Sequence, residues 1–410
     1  MERPIRSALV SGGVLECDGR YERGREALGY RLAEPYRTRP RWIRCRDPKV
    51  AGRVARVRDA EFRTRLTLDV HKYLRGRLER VEIDAARARE AVHRSTRLAG
   101  SAAQHLAAID LLAAGHLWFS FCAQGRVHTS VTCLPRELRA ALRVGGQALV
   151  GIDVRNAQPL LLALLILQYR RAGNRLLNFR SFASPAPDPY AYSDLRLPAC
   201  QPPLAPGSLS ITVSNSGTEH PGGPGPKEAR PGFVALSGDE RLYLGLCERG
   251  RIYEHMQGRL AEVGFEVDRE RVKVEFCRLY YGKNRPRQAL RDEVSRAFDA
   301  AFRAEFPGVG AVVWSVKKQA GDHTCLSRLM QHYDSSLVIH AVCRRLMADH
   351  PHAPVVTVHD SIFTTAAHAG VVLGVLRDEF ARVGLHPQFN VEDPGQEDPG
   401  QALGEAHKAA

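Results

Sequence analysis

Two aspartates at the ends of apolar runs are the first candidates for chemistry. Asp153 closes the run QALVGID at 147–153, and Asp360 lies in a His-Asp-Ser turn between the runs VVTV and SIFTT. These patterns predict a strand that ends at Asp153 and a hairpin whose turn contains Asp360. Taken singly, each aspartate also suits a plain structural role, because Asp often caps helices and forms turns.

The third candidate is a predicted helix that begins after Asp268, a good N-cap residue. It carries four side chains at four-residue spacing, which advance by roughly 400° and so form one stripe: Arg269, Lys273, Cys277 and Tyr281. A guanidinium, an ammonium and an aromatic ring on one face suit a nucleoside triphosphate. The alternative interpretation is a solvated basic helix with a tyrosine in the core.

The spacing R-x3-K-x7-Y-G, formed by Arg269, Lys273, Tyr281 and Gly282, resembles motif B of family A DNA polymerases and the related phage-type single-subunit RNA polymerases. The motif order A, B, C of that superfamily is also followed, with LVGIDVRNAQPLLLAL at 149–164 before this helix and VTVHDSIFTT at 356–365 after it. The segment GRVHTSVTCLPRELR at 125–139 resembles the G-R segment that lies against the primer-template in these enzymes. The resemblance covers roughly 125–390.

The resemblance implies a nucleotidyltransferase in which Asp153 and Asp360 hold two magnesium ions, about 3.5–4 Å apart, with manganese as a possible substitute. It implies that Arg269 and Lys273 bind the triphosphate, and that Lys273 also protonates the leaving pyrophosphate. The remaining nucleotide site would comprise Tyr281, Gly282 and Gln158. Three further residues would contact nucleic acid: Arg126, His359 and Gln331. The implied partners are a primed DNA template and nucleoside triphosphates.

Several residues depart from the DNA-making branch of the family. Ser361 follows the His-Asp pair, as is typical of the RNA-making branch, where DNA polymerases usually have Glu. Gln158 replaces the glutamate that crowds a ribose 2′-hydroxyl, Leu160 replaces an arginine of motif A, and Cys277 replaces a bulky residue of motif B. We therefore expect a modest preference for deoxynucleotides.

These observations favour a DNA-directed DNA polymerase, on a mobile element or phage-derived replicon. The alternatives are a primase or single-subunit RNA polymerase, and a catalytically silent nucleic-acid-binding protein.

The charge balance points to a polyanionic partner. The formal net charge is +14, and the first 100 residues contain 25 Lys and Arg against 14 Asp and Glu, a surplus of 11. Clustered basic residues gain affinity for nucleic acid by releasing counterions from its phosphates. An Arg-rich composition inherited from a high-GC genome would give a similar count.

Cysteine and hydropathy patterns exclude other classes. The nine cysteines include no C-x-x-C pair and no cluster with histidine, which argues against a zinc site or a disulfide framework. The longest apolar run, 159–167, is far too short to span a membrane, and the N-terminus has no signal-peptide core. The sequence therefore predicts a soluble, cytoplasmic protein without a membrane partner.

The expected fold class is α+β: a right-hand polymerase with an antiparallel palm sheet, helical fingers and a basic, thumb-like helical arm. The predicted regions are the arm at 1–120, the first palm part at 121–182, a Pro/Gly-rich insertion at 183–232, the fingers at 233–330, the second palm part at 331–391 and a low-complexity tail at 392–410. Within the arm, periodicity predicts helices over most of 51–119, including the whole of 73–94.

Overall fold

A computed structural model of the chain describes residues 2–19, 30–36, 68–122, 124–174, 235–284 and 292–392. The predicted insertion at 183–232 and the predicted tail beyond residue 392 lie outside these ranges. The same is true of the predicted helix at 53–66.

The described strands are short, apart from one of eight residues near the middle of the sheet. In chain order they are β1 (Leu15–Cys17), β2 (Tyr30–Leu32), β3 (Val81–Ile83), β4 (Phe119–Phe121), β5 (Val127–Thr129), β6 (Leu142–Val144), β7 (Gln147–Val154), β8 (Val356–Val358), β9 (Ser361–Thr365) and β10 (Phe389–Glu392). The main sheet has the order β3-β6-β7-β9-β8, with β10 paired to β7. All of its pairings are antiparallel.

Helices make up most of the described chain. In chain order they are α1 (Glu2–Ser11), α2 (Asp69–Leu78), α3 (Ala85–Arg94), α4 (Thr96–Ala99), α5 (Ala102–Ala113), α6 (Arg136–Arg139), α7 (Ala157–Arg171), α8 (Gly238–Glu248), α9 (Ile252–Ala261), α10 (Arg269–Tyr281), α11 (Glu293–Glu305), α12 (Pro307–Ala320), α13 (Cys325–Ser335), α14 (Arg344–Asp349) and α15 (Ala366–Arg382). A π-helical segment, Ser336–Cys343, joins α13 to α14. Among the described helices, none has the length and apolar character needed to cross a bilayer.

The fold is mixed α+β and mostly helical, as the sequence predicts, and the described strands form the six-stranded main sheet and two antiparallel pairs, β1–β2 and β4–β5. The β6–β7 hairpin closes at Gly145 and Gly146, whose φ angles of 55° and 75° fit a tight two-residue turn. After β7 the chain enters α7, which is buried on nearly all sides and packs against α8 and α13. Burial all round explains why its sequence is apolar throughout and not amphipathic.

A buried ion pair fixes α8 on α7. The Arg170 guanidinium donates to Glu240 at 2.6 Å, and the Glu240 side chain is fully buried. Ser237 and Glu240 also form a capping box at the start of α8. Glu240 therefore stabilises both the helix end and the contact between the two helices.

Several predicted elements are confirmed. The run at 147–153 forms β7, and the predicted hairpin forms β8 and β9. Asp268 caps α10, with its carboxylate accepting from the backbone N–H of Arg271 at 2.7 Å.

The continuous helix predicted over 73–94 is wrong, because β3 interrupts it. Val81 pairs with Val144, and Ile83 pairs with Leu142. The segment therefore adds a strand to the sheet, and α2 ends before it. Asp84 then caps α3 by accepting from the backbone N–H of Arg87. Burial of the alternating Val81 and Ile83 against the sheet outweighs the local helical periodicity.

Candidate active site

The main sheet brings Asp153 and Asp360 together. In the β7–β9 pairing, Asp153 lies opposite Ser361, and Asp360 immediately precedes Ser361 in the turn from β8. Both carboxyls are half-buried. Burial raises the pKa of Asp153, and burial together with the neighbouring Asp153 and Asp334 charges raises the pKa of Asp360 to about 7. Two carboxylates in this position repel each other, and a cation between them would relieve that repulsion.

Left-handed backbone flanks both aspartates. His359, directly before Asp360, has φ of 54°, and Asn156, three residues after Asp153, has φ of 56°. This region is uncommon for residues other than glycine, although Asn and His adopt it more readily than most. Residues held in such conformations cluster at functional sites. The two turns place the aspartates at the same end of the sheet.

Ser361 acts directly on Asp153. Its hydroxyl donates to Asp153 Oδ1 at 2.5 Å, and this hydrogen bond favours the charged carboxylate, although the effect of burial on the pKa of Asp153 is larger. The residue that departs from the DNA-making pattern is thus part of the site. The motif comparison identified Ser361 as a difference from DNA polymerases but did not predict its hydrogen bond to Asp153.

A cavity of about 200 Å³ opens on the same face of the sheet, lined by Arg136, Arg139, Gly151, Asp153, Ser361, Phe363 and Glu392. The Arg139 side chain is half-buried, and burial lowers its pKa while the nearby acidic groups oppose that shift. Arg136 pairs with Glu392 at 2.8 Å. Both arginines belong to the G-R segment of the sequence. Their position beside Asp153 depends on the packing of α6 near the paired strands β7 and β10, which the sequence does not show.

The polar stripe of α10 contacts residues that follow Asp153 at two of its four positions, Arg269 and Cys277. Arg269 donates to Asn156 Oδ1 at 3.0 Å and to Glu254 Oε1 at 3.0 Å, and its guanidinium lies 4.8 Å from the centre of the Tyr253 ring. Further along, the Cys277 thiol lies 3.9 Å from Gln158 Oε1. Asn156 and Gln158, which follow Asp153 in the sequence, therefore contact α10 through their side chains.

Two buried polar atoms beside Arg269 lack a partner. Within the described part of the chain, Asn156 Nδ2 and Glu254 Oε2 make no hydrogen bond. Buried polar groups are normally satisfied, so such atoms mark a place where a ligand or water belongs. They lie at the junction between the strand that carries Asp153 and the stripe of α10.

Lys273 and Tyr281 occupy the solvent-exposed part of the stripe. The side chain of Lys273 is 36% exposed and donates to Glu270 at 2.5 Å, a surface pair that a stronger anion can displace. Tyr281 has 36% of its surface exposed, and burial of the rest raises its pKa. The charges of Arg126 and Asp334 also act on the Tyr281 hydroxyl, which places the ring near the G-R segment.

Arg126 has a partner that the sequence comparison did not predict. Its Nε donates to Asp334 Oδ2 at 2.6 Å, and the Asp334 side chain is only 3% exposed. Burial raises the pKa of Asp334, and Arg126 opposes that shift. Gln331 lies one turn earlier on α13, where its carbonyl accepts from the Ser335 hydroxyl. Asp334 is the single acidic residue in the run 325–343, which is the sequence signal that could have marked it.

His359 and Gly282 have clear structural surroundings. The His359 ring lies 6.2 Å from the ring of His128 on β5. The β4–β5 hairpin, which contains the start of the G-R segment and is called the G-R hairpin below, therefore meets the turn that carries Asp360. Gly282 ends α10, and a Cβ there would lie 2.4 Å from the Arg278 carbonyl oxygen. Lys317 Nζ donates to the carbonyl oxygens of Leu279 and Gly282, each at 2.7 Å. Gly282 is therefore required for the helix end, whatever its contact with substrate.

The donor set fits a magnesium site completed by substrate. Within the described residues, no group of three or more His, Cys, Asp or Glu side chains is arranged to hold a metal. Magnesium is commonly bound by one or two carboxylates together with phosphate oxygens and waters. The mutual repulsion of Asp153 and Asp360 leaves this pair suited to that role.

Comparisons with known proteins were made for sequence and for structure. No protein-family model matches the sequence, and no curated protein matches it. Among solved structures, the chain is similar to the POL domain of Pol1 from M. smegmatis in complex with DNA primer-template and dNTP. The identity is 15% and the TM-score 0.38, over 75% of this chain and 55% of that chain.

Proposed function

We propose that the chain is a template-directed nucleotidyltransferase that extends the 3′ end of a primed DNA strand with deoxynucleotides. The observation that carries this proposal is the meeting of Asp153 and Asp360 at one end of β7 and β9, beside the polar stripe of α10. Paired carboxylates of raised pKa beside a cationic helix face suit the transfer of a nucleotidyl group from a triphosphate.

The architecture supports a division into working parts. The main sheet with its flanking helices would be the palm, and the helices between 233 and 330 would be the fingers. The basic region at 1–120, which also contributes β3 to the main sheet, would be a thumb-like arm that holds the duplex. The location of α10 beside the end of β7 is what such a division requires, because the incoming nucleotide must meet the carboxylates from the fingers side.

Asp153 and Asp360 would hold two magnesium ions, or manganese in their place. When bound, the ions would neutralise the charge on the attacking and leaving oxygens. Arg269, already oriented by Glu254 and Asn156, would bind phosphate oxygens through the rest of its guanidinium. Lys273 would exchange its exposed partner Glu270 for the triphosphate and give the Nζ proton to pyrophosphate. Gln158 would lie beside the sugar and Tyr281 beside the base.

The nucleic-acid contacts of the proposal involve the G-R hairpin. Arg126, His359 and Gln331 would line the path of the primer-template. The Arg126 guanidinium pairs with Asp334 through Nε, so its phosphate contact would use the remaining nitrogen atoms.

RNA synthesis is the second candidate, and one observation favours it. Ser361 donates to Asp153 and so serves the site in the form typical of the RNA-making branch. An extension assay on primed and unprimed templates, with dNTPs and NTPs supplied separately, distinguishes the candidates. Extension of the primed template with dNTPs supports the lead proposal. Synthesis on the unprimed template with NTPs favours a primase or RNA polymerase.

Matched variants test the enzyme itself. We expect Asp153→Asn and Asp360→Asn each to reduce extension at least about 100-fold while leaving template binding intact, because each removes one ligand charge but little volume. Asp378→Asn is the control, since Asp378 is an exposed partner of Arg345, remote in function from the pair. A protein that binds primed DNA and never extends it, with or without these substitutions, is a catalytically silent binding protein.

A further inference from the structure

Trp314 is an exposed aromatic ring next to the end of the proposed nucleotide-binding helix. It lies on α12 with 48% of its surface exposed, and Lys318 Nζ lies 4.5 Å from the centre of its ring. Lys318 is itself exposed, one turn further along the helix. A large flat ring is well suited to stack with a nucleobase, and the long Lys318 side chain, which lies over the ring, can exchange this contact for a phosphate.

Hydrogen bonds join the backbone of α12 at Trp314, and the nearby Lys317 side chain, to the loop that follows α10. Asn284 Nδ2 donates to the Trp314 carbonyl oxygen at 3.4 Å, and Lys317, three residues after Trp314, donates to the Gly282 carbonyl oxygen at 2.7 Å. Lys283, in the same loop, is exposed. The Trp314 surface, defined as Trp314, Lys318, Lys283 and Asn284, is thus held in place by the helix that carries Tyr281.

Its chemistry indicates what would bind there. Two lysines and one aromatic ring on a surface without an acidic member suit a chain of phosphates and unpaired bases, because every base has a face that stacks. A paired duplex hides those faces between neighbouring base pairs. Lys283 follows Tyr281 by two residues in the chain, and the exposed Tyr281 ring lies near Arg126 in the candidate site.

We propose that the Trp314 surface binds the unpaired template strand before it enters the active site, with Trp314 stacking on a base and the two lysines contacting its phosphates. The identity of the strand as template rests on the proposed function, whereas the affinity for single-stranded nucleic acid does not.

Tryptophan fluorescence tests the contact without catalysis. The chain has three tryptophans, Trp42, Trp118 and Trp314, so the Trp42→Phe/Trp118→Phe double variant leaves Trp314 as the sole reporter. The probes are a DNA hairpin with a blunt end and the same hairpin with a 5′ overhang of thymidines. We expect the overhang hairpin to quench the emission and the blunt hairpin to leave it nearly unchanged. Equal quenching by both probes, or by neither, would overturn the proposal.

Affinity provides the second measurement. Trp314→Ala is expected to weaken binding of the overhang hairpin by about 5- to 100-fold, the range for loss of one stacked base, and to leave the blunt hairpin within about twofold. Trp314→Phe should recover part of the loss because it keeps a ring. Val371→Ala is the control, since Val371 is an exposed apolar residue, 37% exposed, on α15, a helix to which the proposal gives no nucleic-acid contact. An equal loss in Val371→Ala would argue against a specific site.

The outcomes separate this inference from the proposed function. Overhang-dependent quenching in a protein that extends no primer supports the binding surface and rejects the polymerase. Primer extension without overhang-dependent quenching supports the polymerase and rejects the surface. A second hairpin with a uridine ribonucleotide overhang shows whether the surface accepts RNA as well as DNA strands.

Discussion

Asp360 lies in a cluster of charged side chains, and its protonation depends on whether a cation is bound there. Burial and two neighbouring carboxylates, Asp153 and Asp334, raise its pKa, while Arg126 acts in the opposite direction. Arg139, half-buried beside the pair, is also influenced by both Asp153 and Asp360. The metal-free site therefore favours the uptake of a proton, and a divalent cation would compete for the same place.

The first prediction concerns pH and metal. The folded protein holds the Asp360 proton more tightly than an unfolded chain, whose Asp pKa is near 3.8, so this group's contribution to stability is lost as pH rises from about 4 to about 7. In chelator at about pH 8, Asp360→Asn should therefore raise Tm by about 2 °C or more, and the gain should vanish near pH 4. Thermal melts of both proteins across this range provide the measurement.

The same thermal melts are repeated with magnesium chloride in place of the chelator. Magnesium should raise the Tm of the wild-type protein more at about pH 8 than at about pH 5, because protons compete with the ion at the lower pH. The Asp360→Asn variant should respond little at either pH. A variant that responds as the wild-type protein does would show that the ion binds elsewhere.

The second prediction concerns Asp334. Asp334→Asn keeps the volume but removes the charge that pairs with Arg126, and we expect it to reduce the free energy of unfolding by about 1–3 kcal/mol. It should also lower the pKa of Asp360, because one of the neighbouring negative charges is lost. Denaturant unfolding measures the first effect, and the pH dependence of extension measures the second. Asp378→Asn, at an exposed pair, should change stability by less than about 0.5 kcal/mol.

At the scale of elements, α10 is fixed at both ends by contacts from other helices. Near its start, Arg269 joins α10 to Glu254 on α9 and to Asn156 at the end of β7. At its end, Lys317 on α12 donates to two carbonyl oxygens that the helix itself leaves unpaired. Burial lowers the pKa of Lys317 to about 8, yet these carbonyls still accept its protons. The helix is therefore presented to the aspartates as a rigid element.

The third prediction tests that helix end. Gly282→Ala places a Cβ at 2.4 Å from the Arg278 carbonyl oxygen, a backbone atom that can only move with the helix. We expect a loss of about 1–3 kcal/mol in the free energy of unfolding, together with a higher KM for the nucleotide. Gly258→Ala is the control, because Gly258 lies in the exposed face of α9 with nothing within 4 Å of an added Cβ. That substitution should stabilise the protein by roughly 0.5–1 kcal/mol. Equal effects of the two substitutions would contradict the proposed clash.

At the scale of the whole molecule, the sequence predicted what local patterns determine. The ends of β7 and the β8–β9 turn, with their aspartates, follow from apolar runs and a turn signal, and the stripe of α10 follows from helical periodicity. The family resemblance predicted that Asp153 and Asp360 meet, but the other contacts between distant segments were not predicted, because no local pattern encodes them. The pairing of β3 with β6, the ion pair between Arg126 and Asp334, and the Lys317 contacts all join residues far apart in the chain.

The last prediction concerns the net charge of +14. Many arginines in the described part of the chain pair with acids, as Arg170 does with Glu240 and Arg345 with Asp378 and Glu379, so they do not explain the excess. The surplus of 11 in the first 100 residues does, and we expect it to contact the duplex backbone.

Binding of primed DNA should then weaken about 10³- to 10⁵-fold between about 50 and 200 mM salt, the response for 6–10 phosphate contacts. Fluorescence anisotropy at several salt concentrations gives the slope of log K against log salt. The Asp153→Asn/Asp360→Asn double variant should keep that slope, because its cationic surface is unchanged. A slope near zero would mean that the basic composition reflects codon bias and not a nucleic-acid surface.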